Sequence, residues 1–128
     1  MPFPVVRPRR LRQSPAIRAL TRETSLDPAD FIYPMFFSAT IKEPRPVSTM
    51  PGISQLPVTA AAAEAREAVS LGLGAVLLFG LPKTKDANGS SSYDPDGPVP
   101  RAIAAMKEAS PELLVIADVC VDEYTEHG

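Results

Sequence analysis

Gly74-Ala75-Val76-Leu77-Leu78-Phe79-Gly80 is a short, unbroken apolar run held between glycines. A run of this length and type suits a strand buried on both faces, as in a parallel sheet. Similar segments lie on either side. Phe31-Ile32-Tyr33-Pro34-Met35-Phe36-Phe37 is rich in aromatic and β-branched residues, which favour strands. Pro34 has no N–H to donate and argues against a fully paired central strand there. Leu113 to Val119 is a further apolar run and the third strand.

Helical patterns separate these strands. Thr59 is placed to cap a helix through Ala60–Val69, a stretch dominated by alanine, the best helix former. Its apolar stripe, Ala61, Ala65, Ala68 and Val69, is thin, so the helix must lie close against a sheet. Gly72 is a natural stop. Pro98 to Ser110 makes a second helix, with Val99, Ile103 and Met106 on one face. Pro98 or Pro100 suits its first turn, and Pro111 lies just past its end.

Working outward, Ser38 to Pro57 reads as a long connection broken by prolines, and Leu81 to Gly97 as a polar loop. Met1 to Asp30 reads as an extended arm. It has one short helix near Pro15–Arg22, capped by Ser14 with Pro15 at its first position. Ser25-Leu26-Asp27-Pro28 ends that helix in a turn. The order is arm, β, α, β, α, β. Such alternation predicts an α/β fold, a parallel sheet with right-handed crossovers. Three strands and two helices are too few to close a barrel. The sheet is either open and small or part of something larger.

The 128 residues bound the chain to one domain at most, long enough to bury a real core. Fifteen prolines, about twice the usual share, imply much loop and extended chain. A single cysteine excludes an intramolecular disulfide and fits a reducing compartment. No apolar stretch approaches the roughly 18–20 residues that span a bilayer, and the N-terminus lacks the apolar core of a secretory signal. A cytoplasmic protein with no membrane partner is expected. The net charge of −2 hides an asymmetry, because Arg7, Arg9, Arg10, Arg12, Arg18 and Arg22 all precede the first acid, Glu23. A basic, proline-broken start can serve as a nucleic-acid arm or a targeting segment, or be simply solvated, or be an arm packed on a neighbouring subunit. The last reading is adopted, with no nucleic-acid partner.

The chemistry-bearing stretch is Leu113-Leu114-Val115-Ile116-Ala117-Asp118-Val119-Cys120-Val121-Asp122. Side chains alternate across a strand with period two. If extended geometry persists to Asp122, then Asp118, Cys120 and Asp122 point to one side. Two carboxylates and a thiol at a strand's end suit a site better than a core. From the residues alone, Asp118 reads equally well as a loop cap, and Cys120 as a small buried apolar group. Phe79 reads as plain core, and His127 as structural or exposed.

Several motifs together resemble the N-terminal portion of the delta-aminolevulinic acid dehydratase (porphobilinogen synthase) family. They begin with Arg7-Pro8-Arg9-Arg10-Leu11-Arg12, Arg22-Glu23-Thr24, Phe31-Ile32-Tyr33-Pro34-Met35-Phe36 and Met50-Pro51-Gly52-Ile53. Leu78-Phe79-Gly80-Leu81-Pro82, Lys85-Asp86, Gly89-Ser90 and Asp94-Pro95-Asp96-Gly97 follow in order. Asp118-Val119-Cys120-Val121-Asp122 and Tyr124-Thr125-Glu126-His127-Gly128 close the series and are its most specific part.

The resemblance implies an N-terminal oligomerisation arm (residues 1–30) and the first part of a TIM barrel (residues 31–128), incomplete in this chain. It implies a homo-oligomer, an octamer in the family, assembled through that arm. The implied reaction condenses two molecules of 5-aminolevulinate to porphobilinogen, with loss of water, in the synthesis of tetrapyrroles such as heme, chlorophyll and cobalamin. Asp118 matches the family's active-site aspartate, and Phe79 a position near the substrate pocket. Cys120 and Asp122 match metal-ligand positions. Zinc-dependent members carry cysteine at both, and members independent of that zinc carry alanine and aspartate. This chain has one of each type, so zinc and magnesium both stand. The family's two Schiff-base lysines have no counterpart among Lys42, Lys83, Lys85 and Lys107. A non-catalytic piece acting only in subunit assembly, and a small α/β metal-binding module, are the competing readings.

Overall fold

The computed structural model describes residues 9–127. Arg7 and the start of the arm lie outside them. The first helix, α1 (Pro15–Leu20), begins as its sequence requires: the Ser14 hydroxyl accepts the Ile17 N–H at 3.2 Å, and Pro15 takes the first position. A short 3-10 turn, Pro28–Asp30, carries a capping box between Asp27 and Asp30 and delivers the chain to the sheet.

The sheet has five strands, β1 (Ile32–Ser38), β2 (Arg45–Pro46), β3 (Ser54–Pro57), β4 (Ala75–Leu81) and β5 (Leu114–Ala117), in the order β2-β3-β1-β4-β5. β1, β3, β4 and β5 run parallel, and β2 pairs antiparallel with β3. The expected connection from Ser38 to Pro57 therefore holds two short strands. Proline-rich, with few β-branched residues, it gave little strand signal. β1 is central despite Pro34. β4 pairs along its whole length, but β3 joins only at Phe36–Ser38, so one edge of β1 has no neighbouring strand at the proline.

Two helices, α2 (Ala61–Ser70) and α3 (Pro98–Ala109), cover one face. Ala61, Ala65 and Ala68 of α2 and Val99, Ala102 and Met106 of α3 form one buried cluster with Met35, Phe37, Val76 and Leu78 of the strands. Alanines at the α2 contact let its backbone approach closely, as the thin stripe required. Thr59 is not the cap: Val58–Ala60 forms a 3-10 turn, and α2 starts behind Ala60 without a side-chain cap bond. Gly72 does end α2. It adopts φ +73°, and its N–H and that of Leu73 reach back to the carbonyls of Val69 and Ala68.

β4 is not buried on both faces. Val76, Leu78 and Gly80 are buried, whereas Leu77, Phe79 and Leu81 between them are only half-buried. The half-buried face continues through Phe36 on β1 and Ile116 on β5, paired in register with Phe79 and Leu77. The Phe36 and Phe79 rings stack there, 5.3 Å apart and 22° from parallel.

Candidate functional site

The sequence places its chemistry at the carboxyl ends of β4 and β5, the end at which parallel sheets carry sites. β5 ends at Ala117, one residue before Asp118. The Asp118 N–H donates to the Leu78 carbonyl at 3.2 Å, so Asp118 continues the register by one place and stands opposite Phe79. That parity sets Asp118 on the half-buried face with Phe79 and Phe36, away from the helices. Asp118 itself is half-buried.

Extended geometry does not persist to Asp122. The chain bends at Val121, and Asp122–Tyr124 forms a 3-10 turn. The expected alternation therefore fails beyond Cys120. The turn nevertheless gathers the polar groups. The neighbouring Asp118 carboxylate first, and then the charges of Asp122 and Glu123, push the Cys120 thiol above its usual range. Cys120 is exposed and in no disulfide, and Asp122 is exposed.

Glu123 is the residue that alternation missed, because its parity assigns it to the opposite face from Asp122. Its Oε2 accepts the Gly80 N–H at 2.8 Å across 43 residues of sequence. Burial pushes its carboxyl above the usual range. The Gly80 N–H and Lys85 oppose that rise, and the charges of Asp118 and Asp122 add to it. Tyr124 follows, half-buried, its hydroxyl also pushed up by burial and by Glu123 and Asp118. Gly80 makes room for it. A β-carbon on Gly80 would stand 2.5 Å from Tyr124 Oη and 2.8 Å from Val99 Cγ2.

The loops after β4 and β5 are joined. Asp86 pairs with Thr125: the Asp86 N–H donates to the Tyr124 carbonyl, and the Glu126 N–H to the Asp86 carbonyl. The Asp86 carboxylate accepts the N–H groups of Ser90 at 3.0 Å and Asn88 at 2.9 Å, and the Ser90 bond leads in lowering its pKa. Thr125 is buried and His127 exposed.

Other chemistry is placed apart. Lys42, Lys83, Lys85 and Lys107 are all exposed, three in loops and one on α3, and none stands at a strand end. Lys107 spans the helix end, donating to the carbonyls of Pro111 and Leu113. Among the described residues no three His, Cys, Asp or Glu side chains are gathered as a metal site. Cys120 and Asp122 supply one soft and one hard donor and are not part of a three-donor group among these residues. Among the same residues no helix is long and apolar enough to cross a membrane.

Known proteins match this chain over nearly its whole length. The family model for delta-aminolevulinic acid dehydratase matches residues 5–128. The Synechococcus elongatus delta-aminolevulinic acid dehydratase is 45% identical over 126 residues, covering 98% of this chain and 39% of the relative. The enzyme of the same name from Halalkalibacterium halodurans is 47% identical, covering 95% of this chain and 37% of the relative. Among solved structures, the Toxoplasma gondii dehydratase in complex with its reaction product porphobilinogen superposes with a TM-score of 0.85 at 39% identity. That match covers 98% of this chain and 36% of the other. The chain thus spans about two fifths of the length of the relatives it matches. The α/β architecture is that of the arm and first β/α units of a TIM barrel, with the sheet left open. The chain belongs to the delta-aminolevulinic acid dehydratase family.

Proposed function

We propose that this chain supplies the carboxylate-bearing strand ends of a porphobilinogen synthase site. The protein it represents condenses two molecules of 5-aminolevulinate to porphobilinogen, with loss of water, for tetrapyrrole synthesis. The observation that carries the reading is the position of Asp118. It extends the β5 register opposite Phe79, at the carboxyl end of the sheet and on the face the helices leave uncovered.

From that position a carboxylate favours the charged form of a neighbouring amine and can take or return protons during dehydration. Phe79, stacked on Phe36, offers an apolar wall for the substrate's carbon chain. The half-burial of Asp118 limits competing water and strengthens its field. The nucleophilic lysines that the family's chemistry requires have no counterpart among Lys42, Lys83, Lys85 and Lys107, so covalent capture of substrate is assigned to none of these residues. A divalent metal, zinc or magnesium, belongs to the family reading through Cys120 and Asp122. Those two side chains do not make a site by themselves. Residues 1–30 serve as an arm between subunits of a cytoplasmic homo-oligomer, and residues 31–128 as the opening part of the barrel.

The test is a transplant. This chain replaces the matching stretch of the Synechococcus elongatus enzyme, and porphobilinogen is measured from 5-aminolevulinate. Product formation is expected. A folded chimera that binds 5-aminolevulinate but makes no product contradicts the reading.

A further inference from the structure

In a parallel ladder, a residue donates its N–H to the carbonyl just behind its partner and accepts at its carbonyl from the N–H just ahead. Ala117 stands opposite Leu78, and the Asp118 N–H donates to the Leu78 carbonyl. The next rung of a continuing β5 would run from the Gly80 N–H to the Asp118 carbonyl. The Gly80 N–H donates instead to the Glu123 carboxylate, at 2.8 Å. A side chain five residues on has taken the place of a strand carbonyl.

The surroundings hold that substitution in place. Tyr124 lies against Gly80 in the space its missing side chain leaves. Thr125 is tied to Asp86 by the backbone bridge. The turn is therefore held at consecutive residues, Glu123 and Tyr124 at Gly80 of β4 and Thr125 at Asp86 in the loop beyond it, and the Glu123 bond is its only side-chain hydrogen bond to β4 among the described residues. A charged acceptor makes the stronger kind of hydrogen bond.

We infer that Glu123 is a positioning residue: its carboxylate completes the β4–β5 ladder, ends β5 at Ala117 and fixes where Asp118 leaves the sheet. The value of that placement to substrate rests on the function proposed above. The hydrogen bond and its hold on Asp118 do not.

The test is amide exchange by NMR on the ¹⁵N-labelled 128-residue chain, unsubstituted and as E123A, E123Q and E123D. The Leu78 amide inside β4 is the internal reference. In E123A, the Gly80 and Asp118 amides are expected to exchange about tenfold faster or more relative to Leu78. E123Q keeps an acceptor of the same reach, so it retains protection at both amides. Its Gly80 proton moves upfield, because a neutral oxygen polarises the N–H less than a carboxylate does. E123D, one methylene short, loses protection at both. If E123A fails to fold, the E123Q and E123D pair decides alone. Unchanged protection in E123D overturns the inference, as does Gly80 exposed without any effect on Asp118, or E123Q as unprotected as E123D. Porphobilinogen formation is not among the readouts, so failure of the proposed function would leave these results standing.

Discussion

The two faces of the sheet are built from similar residues and meet different fates. On one face Met35, Phe37, Val76 and Leu78 are 0–3% exposed beneath α2 and α3. On the other, Phe36, Leu77, Phe79 and Ile116 remain half-buried. The crossovers β3–α2–β4 and β4–α3–β5 step across the sheet in the same direction, and right-handed connections of that kind put both helices on the same side. Hydrophobic character alone therefore does not mark the core here. The apolar face without helices is the one that ends in Asp118, and a wall of this kind is what a substrate cavity needs.

The largest expected contrast compares two phenylalanines. Phe37→Ala removes a fully buried ring and should cost about 3–5 kcal/mol in urea unfolding. Phe79→Ala on the open face should cost roughly 1 kcal/mol, the scale of an aromatic pair. Equal losses would mean that the open face is as well packed as the covered one.

Next comes the seam between β4 and the turn after β5. Gly80→Ala drives a methyl into Tyr124 Oη and Val99 Cγ2, an overpacking cost of about 1–3 kcal/mol. Adding Tyr124→Phe should recover part of that loss by removing the nearer atom. No recovery would place the strain on Val99 instead.

The open face should also recruit copies of the chain, since exposed apolar surface and sheet edges favour association. Sedimentation velocity should show concentration-dependent self-association that Phe79→Asp weakens. A well-behaved monomer at all concentrations would count against an open face.

A smaller effect concerns the sole cysteine. Alkylation of Cys120 by iodoacetamide at neutral pH should be slower than that of an ordinary exposed thiol. Asp118→Asn should speed it about several-fold, because the Asp118 charge leads in holding the thiol protonated. An unchanged rate would separate the two side chains.

The smallest effect is that of Asp86. Its carboxyl is held below the usual range by backbone N–H groups. Its contribution is present above the ordinary aspartate value and lost as pH falls through the lowered one. Asp86→Asn should therefore flatten the acid limb of a stability-versus-pH curve, and an unaltered limb would assign acid sensitivity elsewhere.

The strands around Phe37 and Leu78, the Ser14 cap, the Gly72 stop and the position of Asp118 were legible because each rests on local chemistry: an apolar run, a hydroxyl, a left-handed residue, a period of two. β2 and β3 were not, since Arg45-Pro46 and Ser54-Gln55-Leu56-Pro57 carry little strand propensity and are held by their neighbours. Burial of β4 on both faces was overread, because an apolar run does not say what covers it. Glu123 was invisible for a topological reason. Its partner is a backbone N–H on another strand, and the bend that brings them together breaks the alternation from which faces are assigned.

The most direct test of the account is the rate of porphobilinogen formation by the Synechococcus elongatus chimera carrying this chain, with and without Asp118→Ala. If the strand-end carboxylate moves protons in the reaction, the substitution lowers kcat by about 100-fold or more while 5-aminolevulinate still binds. A substituted chimera that turns over as fast as the unsubstituted one would remove Asp118 from the chemistry and contradict the account.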